Sequence, residues 1–179
     1  MANQRLIECI GDAFLVNLKT QALSDFSDDI LHNGNSIYEV IRLFNKKPLF
    51  LDEHISRLQQ SSVLSKISIT FSTDQIISAI KELIRINPFH DGNVKLLFRQ
   101  SGSGSDFIAF FDCHKYPAPE DYLEGIKTGI YKAERINPNV KTVNMALRRT
   151  TRERMKHENY YEVFLVNKYG NLTEGSRSN

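Results

Sequence analysis

Ser36-Ile37-Tyr38-Glu39-Val40-Ile41-Arg42-Leu43-Phe44 is rich in β-branched and aromatic residues, and apolar groups fall on both of its faces. A strand with one wet face alternates apolar and polar residues, so this one is expected to be covered on both sides. Asn45-Lys46-Lys47-Pro48 breaks the run, and Leu49-Phe50-Leu51 is expected to resume it as the second arm of a hairpin. Asp52 is placed to cap a following helix with Ile55, Leu58 and Ser62 on one stripe. Ser72 and Gln75 then form a capping-box signature ahead of Ile76, Ile77, Ile80, Leu83 and Ile84, which predicts an amphipathic helix ended by Asn87-Pro88.

Residues 13–17 read as a short apolar strand, and 94–99 and 107–112 as two more, joined by the flexible loop Ser101-Gly102-Ser103-Gly104-Ser105. Tyr116-Pro117-Ala118-Pro119-Glu120 reads as a linker, because its prolines stiffen the chain and remove donors. Beyond it come a strand over 125–133, a breaker at Asn137-Pro138-Asn139, a helix over about 144–159 and a strand over 162–167. That strand turns at Tyr169-Gly170-Asn171. Strands alternating with helices imply an α/β (α+β) chain in two units, residues 1–117 and 118–179. The second unit is too short to close a core alone.

The 179 residues are 41% hydrophobic and 25% charged, as expected of a folded globular chain rather than a disordered one. A formal net charge of +2 gives no reason to expect nucleic acid or an anionic membrane as partner. Cys9 and Cys113 stand far apart without companions at metal-ligand spacing, so neither a metal site nor a disulfide framework is expected. Isolated thiols suit a reducing cytosol, and the N-terminal segment, with Arg5, Glu8 and Asp12, does not read as a signal peptide. No apolar run approaches the length of a membrane span.

Two residues invite a chemical reading. Lys141 lies between the rigid Asn137-Pro138-Asn139-Val140 approach and a helix, a corner from which a side chain can project into a cleft. A lysine is nucleophilic only when neutral, which burial or a neighbouring positive charge promotes. The plain alternative is a solvated lysine at a helix start. Glu174 follows a strand and turn among small polar residues, where a carboxylate can hold the proton of a pyridine nitrogen or simply decorate a surface turn. His54 and Arg57 lie three apart on one helix face. The basic run 148–156 has no interleaved aromatic platform, so a solvated face or a subunit contact is a better reading than nucleic-acid binding.

Gly34-Asn35-Ser36-Ile37-Tyr38-Glu39-Val40-Ile41-Arg42, followed by His54-Ile55-Ser56-Arg57-Leu58, resembles the opening signature of the class IV aminotransferases, the fold-type IV pyridoxal-phosphate enzymes. Val140-Lys141-Thr142-Val143-Asn144 is similar to their cofactor-lysine segment. Tyr161 to Asn167, Gly170-Asn171 and Thr173-Glu174-Gly175-Ser176-Arg177-Ser178-Asn179 are similar to their strand-turn-glutamate segment. The order and approximate spacing agree along essentially the whole chain.

The resemblance implies pyridoxal 5'-phosphate held as an internal aldimine on Lys141, which would also shuttle the proton at the substrate α-carbon. It implies Glu174 at the ring nitrogen, Arg57 on the phosphate, and Tyr38 and Arg99 at the substrate pocket. Glu39 and Arg42 belong to the same signature and could equally form a buried structural ion pair. The implied activity moves an amino group between an amino acid and a 2-oxo acid in a cytoplasmic homodimer with the cofactor between domains. An aminodeoxychorismate lyase and a non-catalytic relative are the alternatives. Members acting on D-amino acids carry an Arg and a His where this chain has 101–106, and branched-chain enzymes a tyrosine where it has Met145-Ala146, so neither subgroup's substrate transfers. Relatives continue past the Ser-Asn pair, so the second domain is expected to be incomplete here.

Overall fold

A computed structural model describes residues 8–27, 29–32, 35–102, 104–113, 116–134 and 145–178. The chain runs through β1 (Cys9–Val16), β2 (Lys19–Ala22), a 3-10 turn (Leu23–Asp25), α1 (Asp29–His32), β3 (Ser36–Phe44) and β4 (Lys47–Pro48). It continues through α2 (Leu51–Ser65), α3 (Thr73–Ile86), β5 (Gly92–Ser101), β6 (Gly104–Asp112), α4 (Pro119–Glu124), β7 (Thr128–Lys132), α5 (Met145–Glu158), β8 (Glu162–Val166) and β9 (Leu172–Gly175). The described residues up to Cys113 form one unit, and those from Tyr116 onward, another.

In the first unit six strands pair in the order β2-β1-β6-β5-β3-β4, every neighbouring pair antiparallel. Successive side chains of a strand face opposite ways. Ile37, Ile41 and Leu43 of β3 join Val94, Leu96, Phe98, Phe107, Ala109 and Phe111 in the cluster packed against α2 and α3. Tyr38, Leu97, Ile108 and Phe110 join Cys9, Phe14 and Leu31 on the other face. This double cover is what the apolar run over 36–44 implied.

The capping box forms as read: Gln75 N donates to Ser72 Oγ at 3.2 Å and Ser72 N to Gln75 Oε1 at 2.8 Å. Other local expectations shift. The hairpin partner of β3 is Lys47–Pro48, and Leu49 and Phe50 lead into α2 instead. No side chain caps α2; Phe50 occupies its N-cap with a φ of +52°, and Asp52 sits in the first turn. The buried stripe is Ile55, Leu58 and Ser61, while Ser62 turns its hydroxyl to the Ile67 carbonyl at 2.6 Å just beyond the helix end. The β5–β6 ladder persists to the Ser101–Gly104 pair, well into the segment expected to be a flexible loop. Pro119, expected in a linker, opens α4, since a proline at a first helical position loses no intrahelical bond.

Asn87 does more than end α3. Its Oδ1 accepts from Asp12 N and Ala13 N at 2.8 and 3.2 Å, and its Nδ2 donates to the Ala13 and Leu83 carbonyls. These bonds satisfy β1 where its register against β6 shifts between Ile10 and Leu15. Gly11 passes there with a φ of +106°, and a Cβ on it would lie 2.2 Å from Asn87 Oδ1.

In the second unit β7 and β8 run parallel, and β8 and β9 antiparallel. Val163, Leu165 and Val166 are buried, whereas Leu123 and Ile130 remain 89% and 59% exposed. The β8–β9 turn forms where expected, with Asn167 Oδ1 accepting from Tyr169 N and Asn171 N and Gly170 at a φ of +86°.

Candidate functional site

Glu39 sits on the helix-covered face of β3, between the fully buried Ile37 and Ile41, and is itself fully buried. A carboxylate there must be paired, because isolated charge is very costly in an apolar interior. α2 supplies the partners from one of its faces. Arg57 Nε donates to Glu39 Oε1 at 2.7 Å and Nη2 to Oε2 at 2.6 Å, and His54 Nδ1 lies 2.9 Å from Oε2. His54 Nδ1 is also 3.1 Å from Arg57 Nη2, so its tautomer selects which neighbour it bonds.

The hydrogen bond to Glu39 raises the Arg57 pKa further above its ordinary value, against the opposing effect of burial. The Arg57 side chain remains 43% exposed. Among the described residues only Nε and Nη2 are engaged, which leaves the Nη1 side of the fork for an anion. Glu39 is thus bound to α2, not joined to Arg42 in the structural pair that the sequence left open. Residues three apart on a strand face opposite ways, and Arg42 follows Tyr38 and Val40 to the other side.

Tyr38 and Arg99 leave their strands on that other face, although Tyr38 is near enough to Arg57 to bear on its charge. Tyr38 is buried in the second cluster, with Lys95 Nζ 5.7 Å from its ring centre. Lys95 is itself buried and paired with Glu8 at 2.8 Å. Arg99 donates to Asp106 Oδ2 at 2.8 Å and to the Ile30 carbonyl at 3.1 Å. The bonds from Arg99 and Asn17 hold the Asp106 carboxyl below its ordinary value. A substrate carboxylate would compete with Asp106 for this guanidinium. Cys9, on the same face, is pushed up to about 12 by burial and by the nearby Asp112, which makes it an inert thiol.

Glu174 occupies β9 opposite Leu165 and is half-buried. Thr173 Oγ1 donates to the Leu165 carbonyl at 3.2 Å. Lys141 lies outside the described residues. The sequence did not single out Glu162, a buried carboxylate at the start of β8. Its Oε1 accepts from Val163 N, Ser176 N and Ser176 Oγ at 2.8, 3.2 and 2.6 Å, and its Oε2 from Arg177 N and Ser178 Oγ at 3.3 and 3.0 Å. The available signal was an acidic residue opening the apolar run 163–166, with a chain of small donors at 175–178 to receive it.

Among the described residues no group of three or more His, Cys, Asp or Glu side chains could hold a metal ion. None of their helices is long and apolar enough to cross a membrane.

The family model for amino-transferase class IV matches residues 36–179. D-alanine aminotransferase of Bacillus licheniformis is 26% identical over 171 residues, covering 90% of this chain and 60% of the relative. Aminodeoxychorismate lyase of Bacillus subtilis is 32% identical over 93 residues, 51% of this chain and 31% of the relative. The solved branched-chain amino acid aminotransferase of Escherichia coli superposes with a TM-score of 0.72 at 20% identity, over 93% of this chain and 62% of that one. The chain spans about three fifths of the length of the relatives it matches over most of its residues.

Proposed function

This chain belongs to the class IV amino-transferase family, and from that membership we propose that it serves a pyridoxal 5'-phosphate enzyme moving an amino group between an amino acid and a 2-oxo acid. The observation that carries the reading is the Glu39–Arg57 pair. A buried carboxylate grips one edge of a guanidinium and leaves the rest of the fork exposed, the chemistry a phosphate ester needs. Arg57 would hold the cofactor phosphate, and Glu174, a carboxylate on β9, the protonated ring nitrogen. The exposed Arg57 side chain and the half-buried Glu174 support those roles, each within its own unit. When bound, the cofactor supplies an electron sink for the bonds at the substrate α-carbon.

Around it, this chain's residues bind and move protons. Lys141 would carry the cofactor covalently through Nζ and afterwards take and return the proton at the substrate α-carbon. Glu39 keeps the Arg57 guanidinium oriented by two parallel bonds. Tyr38 and Arg99 are assigned to the substrate pocket, Arg99 on condition that it exchanges Asp106 for a substrate carboxylate. Residues 1–117 are assigned to a small N-terminal α/β domain and 118–179 to the start of the larger domain that bears Lys141 and Glu174, in a homodimer.

A second reading is favoured by the 32% identity to an aminodeoxychorismate lyase. That reaction would use the same lysine and the same electron sink to eliminate pyruvate and release 4-aminobenzoate. Supplying the protein and cofactor with amino acid and 2-oxo acid pairs, and separately with aminodeoxychorismate, separates the readings. Amino-group exchange is the expected result; release of 4-aminobenzoate without exchange establishes the lyase, and neither product establishes a non-catalytic relative.

A further inference from the structure

The Glu162 carboxylate is saturated by donors from one short turn. Ser176 N, Ser176 Oγ, Arg177 N and Ser178 Oγ converge on it, together with Val163 N of its own strand. A carboxylate offers about four lone-pair sites and no donor, so its capacity is filled. The turn closes on itself as well, Gly175 N donating to the Ser178 carbonyl at 2.8 Å and Ser176 N also to the Val163 carbonyl at 2.8 Å. Outside it, the Arg177 guanidinium donates to the Tyr161 carbonyl and lies 5.4 Å from the Tyr161 ring centre. Gly175 has no room for a side chain: a Cβ there would lie 2.3 Å from Ser178 Oγ and 3.1 Å from Glu162 Oε2.

This turn begins at the residue after Glu174. β9 is only four residues long, and its pairing with β8 shifts register between Leu165 and Val166. Short ladders of this kind open locally at little cost, so the position of the Glu174 carboxylate depends on what anchors the chain beyond it. Glu162 is that anchor, buried where β8 pairs with Thr128 of β7.

We propose that Glu162 is a positioning residue, whose buried carboxylate locks the 175–178 turn and thereby fixes Glu174 for the ring nitrogen of the cofactor. The inference rests on the assignment of Glu174 made above. Glu162→Gln keeps the shape but sets an amide N–H against backbone N–H donors, an unfavourable juxtaposition. Gly175→Ala disturbs the same turn by steric overlap, chiefly with Ser178 Oγ, while leaving the Glu162 carboxylate chemically intact.

The test joins two readouts on the full chain. Amide exchange is measured without cofactor over 172–178 and, as internal reference, over 128–132. The ring-nitrogen resonance is measured with 15N-labelled pyridoxal 5'-phosphate bound. Both variants are expected to exchange about tenfold faster over 172–178 and unchanged over 128–132. Their ring-nitrogen resonance is expected to move toward that of Glu174→Gln. Unchanged exchange over 172–178 overturns the proposal, as does equal acceleration over 128–132, which would make Glu162 a general stabiliser of the sheet. A loosened turn with an unmoved ring-nitrogen resonance overturns it too. If the unsubstituted protein takes up no cofactor, the assignment of Glu174 fails, and the exchange contrast still decides whether Glu162 holds the turn.

Discussion

Glu39 meets Arg57 with both carboxylate oxygens, at 2.7 and 2.6 Å, from a position in β3 that has no solvent exposure. The relationship is asymmetric, because the acid is wholly buried and the base nearly half exposed. Glu39 is therefore held from α2 by Arg57 and His54, while the Arg57 side chain stays 43% exposed. Glu39→Gln is expected to destabilise the chain by about 2 kcal/mol, since a fully buried carboxamide offers one acceptor oxygen where the carboxylate offers two. Denaturant unfolding would register this as a lower midpoint at unchanged slope.

Arg57→Lys tests the anion-binding role through the contrast between two ligands. A lysine cannot reproduce the planar fork that meets Glu39 and a phosphate together. Affinity for pyridoxal 5'-phosphate is expected to fall about tenfold or more, while affinity for pyridoxal, which lacks the phosphate, stays constant. Parallel titrations followed by protein fluorescence give the comparison. Equal loss for both ligands would remove Arg57 from the phosphate.

Much of the first unit was legible because its signals are local. The apolar run over 36–44 carries its own account of two covered faces, and Ser72 and Gln75 bond within the four residues that suggested them. Asn87 shows the limit. As a helix stop it was readable from Asn87-Pro88, but its bonds to Asp12 and Ala13 cross more than 70 positions of sequence and leave no periodic trace. The same holds at the candidate site. The three-residue spacing of His54 and Arg57 suggested one helix face, whereas their shared acceptor, Glu39, lies 15 and 18 positions away in sequence on a strand. Glu162 was hidden because a carboxylate heading an apolar strand looks the same whether it is solvated or gripped by a distant turn.

Gly11 and Asn87 make a stability prediction. Gly11→Ala combines a positive φ with a steric overlap against Asn87 Oδ1. The expected cost is about 2 kcal/mol or more. Asn87→Ala leaves the Asp12 and Ala13 amides without that acceptor and should cost a similar amount, about 2 kcal/mol. Thermal unfolding of the two single variants and the double variant should give a sub-additive pair, because both act on one contact.

The Arg99–Asp106 pair predicts an acid-side effect. The Asp106 carboxyl is held below its ordinary value of 3.8, chiefly by its hydrogen bond from Arg99. A depressed folded-state value means that its stabilising contribution is complete above 3.8 and is lost as pH falls through the lower folded value. Unfolding profiles of the unsubstituted protein and Asp106→Asn should therefore differ at neutral pH and converge below that window. The difference is expected to be small, because the pair is partly solvated.

The proposed attachment of pyridoxal 5'-phosphate to Lys141, with Arg57 as its phosphate ligand and Glu174 as its ring-nitrogen partner, would leave that one lysine open to reductive trapping. Incubation with the cofactor, reduction with borohydride and peptide mass analysis test it most directly. One pyridoxyl phosphate group is expected, fixed on the peptide containing Lys141 and diminished in Arg57→Lys. No fixed group, or label on Lys95 or scattered over surface lysines, would contradict it.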